Sequence, residues 1–197
     1  MRALIRELIE TVILALIIFL ALQFSVQNFR VEGSSMRPTI VEGQYLLVNK
    51  LVYFNLNPRD VRSVLAFSSS AKAERVYPFH APERTDVIIF HFPRDPSRDF
   101  VKRVIGLPGD TIEIDDGEVF INGTKLDEPY ITKGGSGNMK LLTVGEDAYF
   151  VMGDNRRASN DSRDWGTVPT ANIVGRAWVS YWPLDRLKTL TSSVGLF

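Results

Sequence analysis

The sequence predicts a mainly β domain, an antiparallel sheet or partial barrel, carried behind one N-terminal membrane-spanning helix. Three observations predict it. An apolar run lies near the N-terminus, short branched and aromatic stretches alternate with turn residues through the rest of the chain, and helical periodicity is essentially absent past residue 30. At 197 residues the chain is long enough for one domain plus an anchor, and short for two independent cores.

The apolar run begins at Thr11, is unbroken to Leu22 and continues less strictly through Phe24 and Val26. Residues 11–26 alone fall slightly short of the roughly 17–25 needed for a spanning helix. Extension back over Leu8 and Ile9, with Glu7 and Glu10 at the interface, gives enough length, so the anchor is placed at 8–26. Arg2, Arg6 and the amino terminus flank it on one side, and Arg30 is the nearest basic residue on the other. Positive charge stays inside, which puts residues 1–7 in the cytoplasm and a β-rich domain, 27–197, on the far side. The competing reading is a cleaved signal peptide, whose apolar core would be about a dozen residues. Ala21-Leu22-Gln23 and Ser25-Val26-Gln27 both end on glutamine, so no small-x-small cleavage pair follows Leu22. That favours a retained anchor.

After the anchor, strands are expected at 45–49, 86–91 and 100–105, each rich in branched and aromatic residues. Runs 111–114 and 118–121 alternate around Asp115-Asp116-Gly117, a hairpin signal, and Asn122-Gly123 gives a second tight turn. Later strands fall at 148–152 and 176–182, the last ended by Pro183. Residues 57–84 mix Pro58, Pro78 and Pro82 with three successive serines and look like an inserted loop. Gly134-Gly135-Ser136-Gly137 is too glycine-rich for a strand interior and is expected to be mobile.

Composition excludes several classes of function. Lys plus Arg equals Asp plus Glu at 23 each, a balance that gives no support to nucleic-acid binding, which needs a basic face. The absence of cysteine removes thiol catalysis, cysteine zinc sites and disulfides together. No metal site and no cofactor are expected.

The chemistry-bearing residues lie in three places. Residues 33–39 (Gly-Ser-Ser-Met-Arg-Pro-Thr) put Ser35 a short way past the anchor. A serine hydroxyl needs a neighbouring base. Of the two histidines, His91 lies in an alternating strand and His80 in the proline-rich loop, and neither has a recognisable acidic orienter. Lys102 lies beside Val101 and just before Val104-Ile105, where burial would disfavour its ammonium form and leave an amine base. Arg103 would face the other side of the strand, toward polar surroundings. The third stretch, 153–166, is dense in hydrogen-bonding groups and follows an apolar strand. Its Asp154, Arg156, Ser159, Asp161 and Arg163 could form a satisfied internal network that fixes a site.

These motifs, in this order, strongly resemble the type I signal peptidases, membrane-bound Ser/Lys proteases that remove leader peptides from exported proteins. The resemblance covers the anchor, 33–39, 102–110 and 153–166. It implies Ser35 as nucleophile, Lys102 as general base, Ser159 as the hydroxyl orienting the amine, and Asp154, Asp161 and Arg163 as supporting residues. It further implies that Val31, Met36, Phe100 and Val101 line pockets for small side chains in an Ala-x-Ala pattern. Implied partners are preprotein signal peptides, the lipid bilayer and the secretion translocon, at a bacterial plasma membrane or a thylakoid membrane. Some members carry a serine two residues before the nucleophile, where this chain has Gly33, so that side-chain oxyanion donor is absent. Two alternatives stay open: a self-cleaving repressor-type Ser/Lys peptidase, and an anchored β-domain that binds peptides without cutting them.

Overall fold

A computed structural model describes residues 2–53 and 80–190. Helix α1, Arg2–Ser25, is longer at its N-terminal end than the apolar run alone suggests. Its apolar portion, Leu4–Ser25, spans 22 residues, and none of it is buried within the protein. At 1.5 Å per residue that is about 33 Å, close to the hydrocarbon thickness of a bilayer. A helix this apolar, with no protein face against it, is a candidate membrane anchor.

Strand β1, Val26–Arg30, follows α1 without a linker. The remaining strands are β2 (Tyr45–Asn49), β3 (Val87–Phe92), β4 (Asp95–Gly106), β5 (Thr111–Asp115), β6 (Glu118–Ile121), β7 (Thr124–Lys125), β8 (Met139–Thr143), β9 (Ala148–Met152), β10 (Val168–Pro169), β11 (Ile173–Trp182) and β12 (Lys188–Thr189). A one-turn helix α2, Ser162–Trp165, separates β9 from β10. Every strand pair is antiparallel. The larger sheet runs β1-β2-β11-β3-β4-β9-β10 with β12 beside β11, and the smaller runs β7-β6-β5-β8.

Sequence patterns explain the elements. β2 alternates buried Leu46 and Val48 with half-buried neighbours, the period of a one-sided strand. β5 and β6 close through Asp116 and Gly117, both at positive φ, the backbone of a tight hairpin turn. Gly117 is also demanded by contact, because a Cβ there would lie 2.3 Å from Gly135 O. The glycine-rich run 134–137 is thus no free linker. Gly117 N–H donates to Gly137 O at 3.0 Å, and Asp116 N–H donates to Asn138 Oδ1 at 2.9 Å, so its glycines serve close packing against the hairpin turn.

Strands β4 and β11 extend past their apolar cores. The charged residues 95–99 of β4 pair with β3, where an exposed position tolerates charge without breaking the ladder. Among the described residues, three apolar clusters fill the interior. One, around Met36, Ile40, Leu46 and Ile89, lies beneath the 33–39 turn. A second, around Phe90, Val104 and Trp165, backs β4. The third, around Ile112 and Phe150, joins the smaller sheet to the larger. Most of the 57–84 stretch, residues 57–79, lies outside the described residues. Trp178, Trp182, Leu184 and Leu187 remain exposed on and just after β11.

Candidate active site

Position 102 lies midway along β4, opposite Ile88 of β3. Among the described residues the backbone there has only one partner strand, because β9 pairs with β4 only from Arg103 onward. Its open edge faces the segment that leads from β1 to Ser35. Between them runs an open cleft of about 500 Å³, lined by Ser35 and Lys102 and also by Phe29, Arg98 and Asp99.

Lys102 Nζ donates to Ser35 Oγ at 2.9 Å and to Val101 O at 3.0 Å. The residue is only 4% exposed, and its amine sits 5.2 Å from the centre of the Phe100 ring. Burial pulls the ammonium pKa from 10.5 down to about 8, opposed by the carboxylates of Asp161 and Asp154. Nothing in the set needs a metal, and no cluster of candidate metal ligands occurs among the described residues.

The turn that carries Ser35 is held by its backbone. Ile40 N–H donates to Met36 O at 2.8 Å, and Asn155 N–H donates to Ser35 O at 2.9 Å. Asn155 Nδ2 adds a bond to Ser34 O at 3.1 Å. Gly153 fits beneath because it has no side chain: a Cβ there would lie 2.3 Å from Ser159 Oγ and 2.5 Å from Ser35 O.

Around this pair the acidic and basic residues form buried ion pairs. Asp161 is fully buried and caps α2. Its carboxylate accepts from Arg163 Nε at 2.8 Å, from Arg163 Nη2 at 2.9 Å and from Gly153 N–H at 2.9 Å. Asp154 accepts two bonds from Arg103, at 2.8 and 2.6 Å. Arg103 is therefore buried in an ion pair, its guanidinium 4.1 Å from the centre of the Tyr130 ring. Burial, reinforced by Glu128, holds the Tyr130 phenol well above its ordinary pKa and therefore neutral.

Three placements differ from what the sequence suggests. Ser159 Oγ is buried but has no hydrogen-bond partner among the described residues, so its contact to the lysine is not formed in this state. Val31, Phe100 and Val101 line the cleft, whereas Met36 is 1% exposed and packs in the core below it. His91 does have an acidic partner, Asp99 Oδ1 at 2.6 Å from Nδ1, because the β3/β4 register sets the two residues opposite each other. That pair is largely exposed, and Ser35 is bonded by the lysine and not by the histidine. Sequence reasoning missed Leu46 and Ile89 as cleft residues, since both read as ordinary core, and it missed Asn155 and Glu128, which carry no motif signal by themselves.

Residues 5–182 match the family described as "Signal peptidase, peptidase S26". The chain belongs to that family. The chain is 35% identical over 196 residues to a probable signal peptidase I-1 of Synechocystis, covering 95% of this chain and 88% of that protein. It is 36% identical over 177 residues to a signal peptidase I of Bacillus caldolyticus, covering 83% of each. A crystal structure of a signal peptidase I from Enterococcus faecalis aligns with TM-score 0.45 at 36% identity, covering 49% of this chain and 97% of that one. Membership makes the chain an enzyme of the signal peptidase I type.

Proposed function

We propose that this family member removes signal peptides from preproteins through a Ser35/Lys102 dyad. The carrying observation is the 2.9 Å contact between a nearly water-free lysine amine and the serine hydroxyl. Neutral Lys102 takes the Ser35 Oγ proton as the oxygen attacks the scissile carbonyl. The oxyanion forms beside the Ser35 backbone N–H, and the amine of the mature protein leaves with the proton from Lys102. Water, deprotonated by the same lysine, then releases the leader from the serine ester.

The substrate lies extended in the cleft, bonded to the open edge of β4 on one side and to the 29–35 segment on the other. Val31, Phe100 and Val101, above a floor of Leu46 and Ile89, form apolar walls with room for alanine-sized side chains one and three residues before the cut. Asp154, Asp161 and Arg163 hold the supporting loop, and Ser159 reaches the Lys102 amine by turning its χ1 once substrate is bound. Met36 shapes this pocket from below.

The protein is anchored by α1 in a bacterial plasma membrane or thylakoid membrane, with the N-terminus cytoplasmic and the β-domain outside. The exposed Trp178, Trp182, Leu184 and Leu187 lie against lipid. Anchoring enzyme and leader in one plane raises their effective concentration, and a translocon delivering the precursor would add to this.

The test is incubation of the full-length protein with a leader-bearing precursor, with mass measurement of the new N-terminus. A cut after Ala-x-Ala, lost in Ser35→Ala and in Lys102→Ala, is expected. Stable binding without product would favour a peptide-binding module instead.

A further inference from the structure

The Ser34–Ser35 peptide is trans, so its carbonyl and its N–H point in opposite directions. The carbonyl is gripped from one side, accepting from Asn155 Nδ2 at 3.1 Å and from Arg37 N–H at 3.2 Å. The Ser35 N–H must therefore point away from Asn155. Among the described residues it has no hydrogen-bond acceptor, and both serines line the cleft.

Asn155 is itself held by its neighbour in the chain. Arg156 is 3% exposed, and both of its terminal nitrogens donate to the carboxylate of Glu128, one of them at 2.7 Å. Arg156 Nε donates to Gly153 O at 3.2 Å, and Arg163 Nη2 donates to Arg156 O at 2.8 Å. Glu128 comes from a different part of the fold, the segment that leaves the smaller sheet after β7. It is fixed there by Tyr130, whose hydroxyl donates to Glu128 Oε1 at 2.8 Å. Buried forked pairs of this kind set orientation as well as energy.

We propose that Asn155 and Glu128 are positioning residues that aim the Ser35 N–H at the developing oxyanion, Glu128 acting from the smaller sheet through Arg156. This rests on the reading of Ser35 as nucleophile. It gives the smaller sheet a part in catalysis although none of its strands lines the cleft. It also supplies what Gly33 withholds: with no side-chain hydroxyl at that position, the orientation of one backbone donor matters more.

The experiment uses the full-length protein in phospholipid vesicles and a leader-bearing precursor, with kcat, KM, the pH profile and thermal melting measured on each variant. Asn155→Ala and Asn155→Asp both remove the amide donor and should each lower kcat about tenfold, less than outright loss of an oxyanion donor, with KM within about twofold. Glu128→Gln should lower kcat in the same way, and Glu128→Gln with Asn155→Ala should be no worse than the poorer single variant, because both act along one path. The alkaline midpoint should stay at the wild-type value in all of them. A merely structural loosening would let water reach Lys102 and move that midpoint upward.

Kcat within twofold of wild type in both Asn155 variants overturns the proposal, as does multiplication of the two effects or a shifted midpoint. If Glu128→Gln fails to fold, Arg156→Lys keeps the charge, loses the fork and reads the same link. Ser35→Ala run alongside separates the two claims. Cleavage that survives it sinks the nucleophile reading, whereas cleavage abolished by it and untouched by Asn155→Ala sinks only this inference.

Discussion

Lys102 and Arg103 are adjacent on β4 and both are buried, yet among the described residues only Arg103 has a carboxylate at ion-pair distance. Alternation along the strand produces the difference. One side chain turns toward Ser35 and the Phe100 ring, the other toward Asp154 and Tyr130. Desolvation without a paired anion makes an amine that can give up its proton near neutral pH. Desolvation with one gives a buried guanidinium its counter-charge.

Activity should therefore rise with pH. With the Lys102 pKa at about 8, the neutral base is scarce at pH 6 and predominates above pH 9. The pH profile of kcat/KM should climb about tenfold per unit below pH 7 and level off above pH 9. Lys102→Arg should abolish that limb together with activity, since a guanidinium stays protonated throughout.

The same burial is a stability liability. The unfolded chain holds the Lys102 proton up to about 10.5 and the folded one only up to about 8. The folded state is penalised fully below pH 8, and the penalty fades between 8 and 10.5 as the unfolded chain also loses its proton. Lys102→Met should accordingly raise stability at pH 6 by on the order of 3 kcal/mol. Thermal melts at pH 6 and pH 10.5 check it, the advantage shrinking at the higher value.

Asp154→Asn should do the opposite. It leaves the Arg103 guanidinium buried without its anion, at a cost of about 3–5 kcal/mol, readable in denaturant melts. It also removes one of the two carboxylates that raise the Lys102 pKa, so any folded fraction should show its alkaline limb displaced below pH 8.

Gly153→Ala should eliminate cleavage. Its new methyl would meet Ser159 Oγ and the Ser35 carbonyl, and a backbone carbonyl cannot swing aside as a side chain can. Adding Ser159→Ala to Gly153→Ala removes only the hydroxyl collision, leaving the Ser159 Cβ at 2.6 Å and the Ser35 carbonyl at 2.5 Å, and should not restore turnover. Recovery of activity in the double variant would show that the serine backbone has room to move.

Much of this was legible in the sequence, and the gaps have physical reasons. Leu46, Val48, Val119 and Phe150 sit on alternating or branched runs whose period is local, so β2, β6 and β9 could be placed to the residue. Ser35 and Lys102 lie 67 residues apart, and only the family resemblance, not spacing, could join them. His91 and Asp99 meet because of a strand register, which local composition does not specify. Glu128 reaches Arg156 from the segment after β7, and Met36 turns inward although its neighbour Ser35 faces the cleft. Such contacts depend on tertiary packing, where a residue's own type says little about its partner.

The direct passage from α1 into β1, Ser25 to Val26, has one more result. With α1 seated in a bilayer as proposed, the five residues of β1, at most about 16 Å of extended chain, limit how far the serine proposed as nucleophile stands from the helix end before the final turn. The enzyme then works as a fixed-height gauge. Precursors whose cut site emerges at that level are processed, and lengthening the polar spacer beyond it carries the bond past the blade.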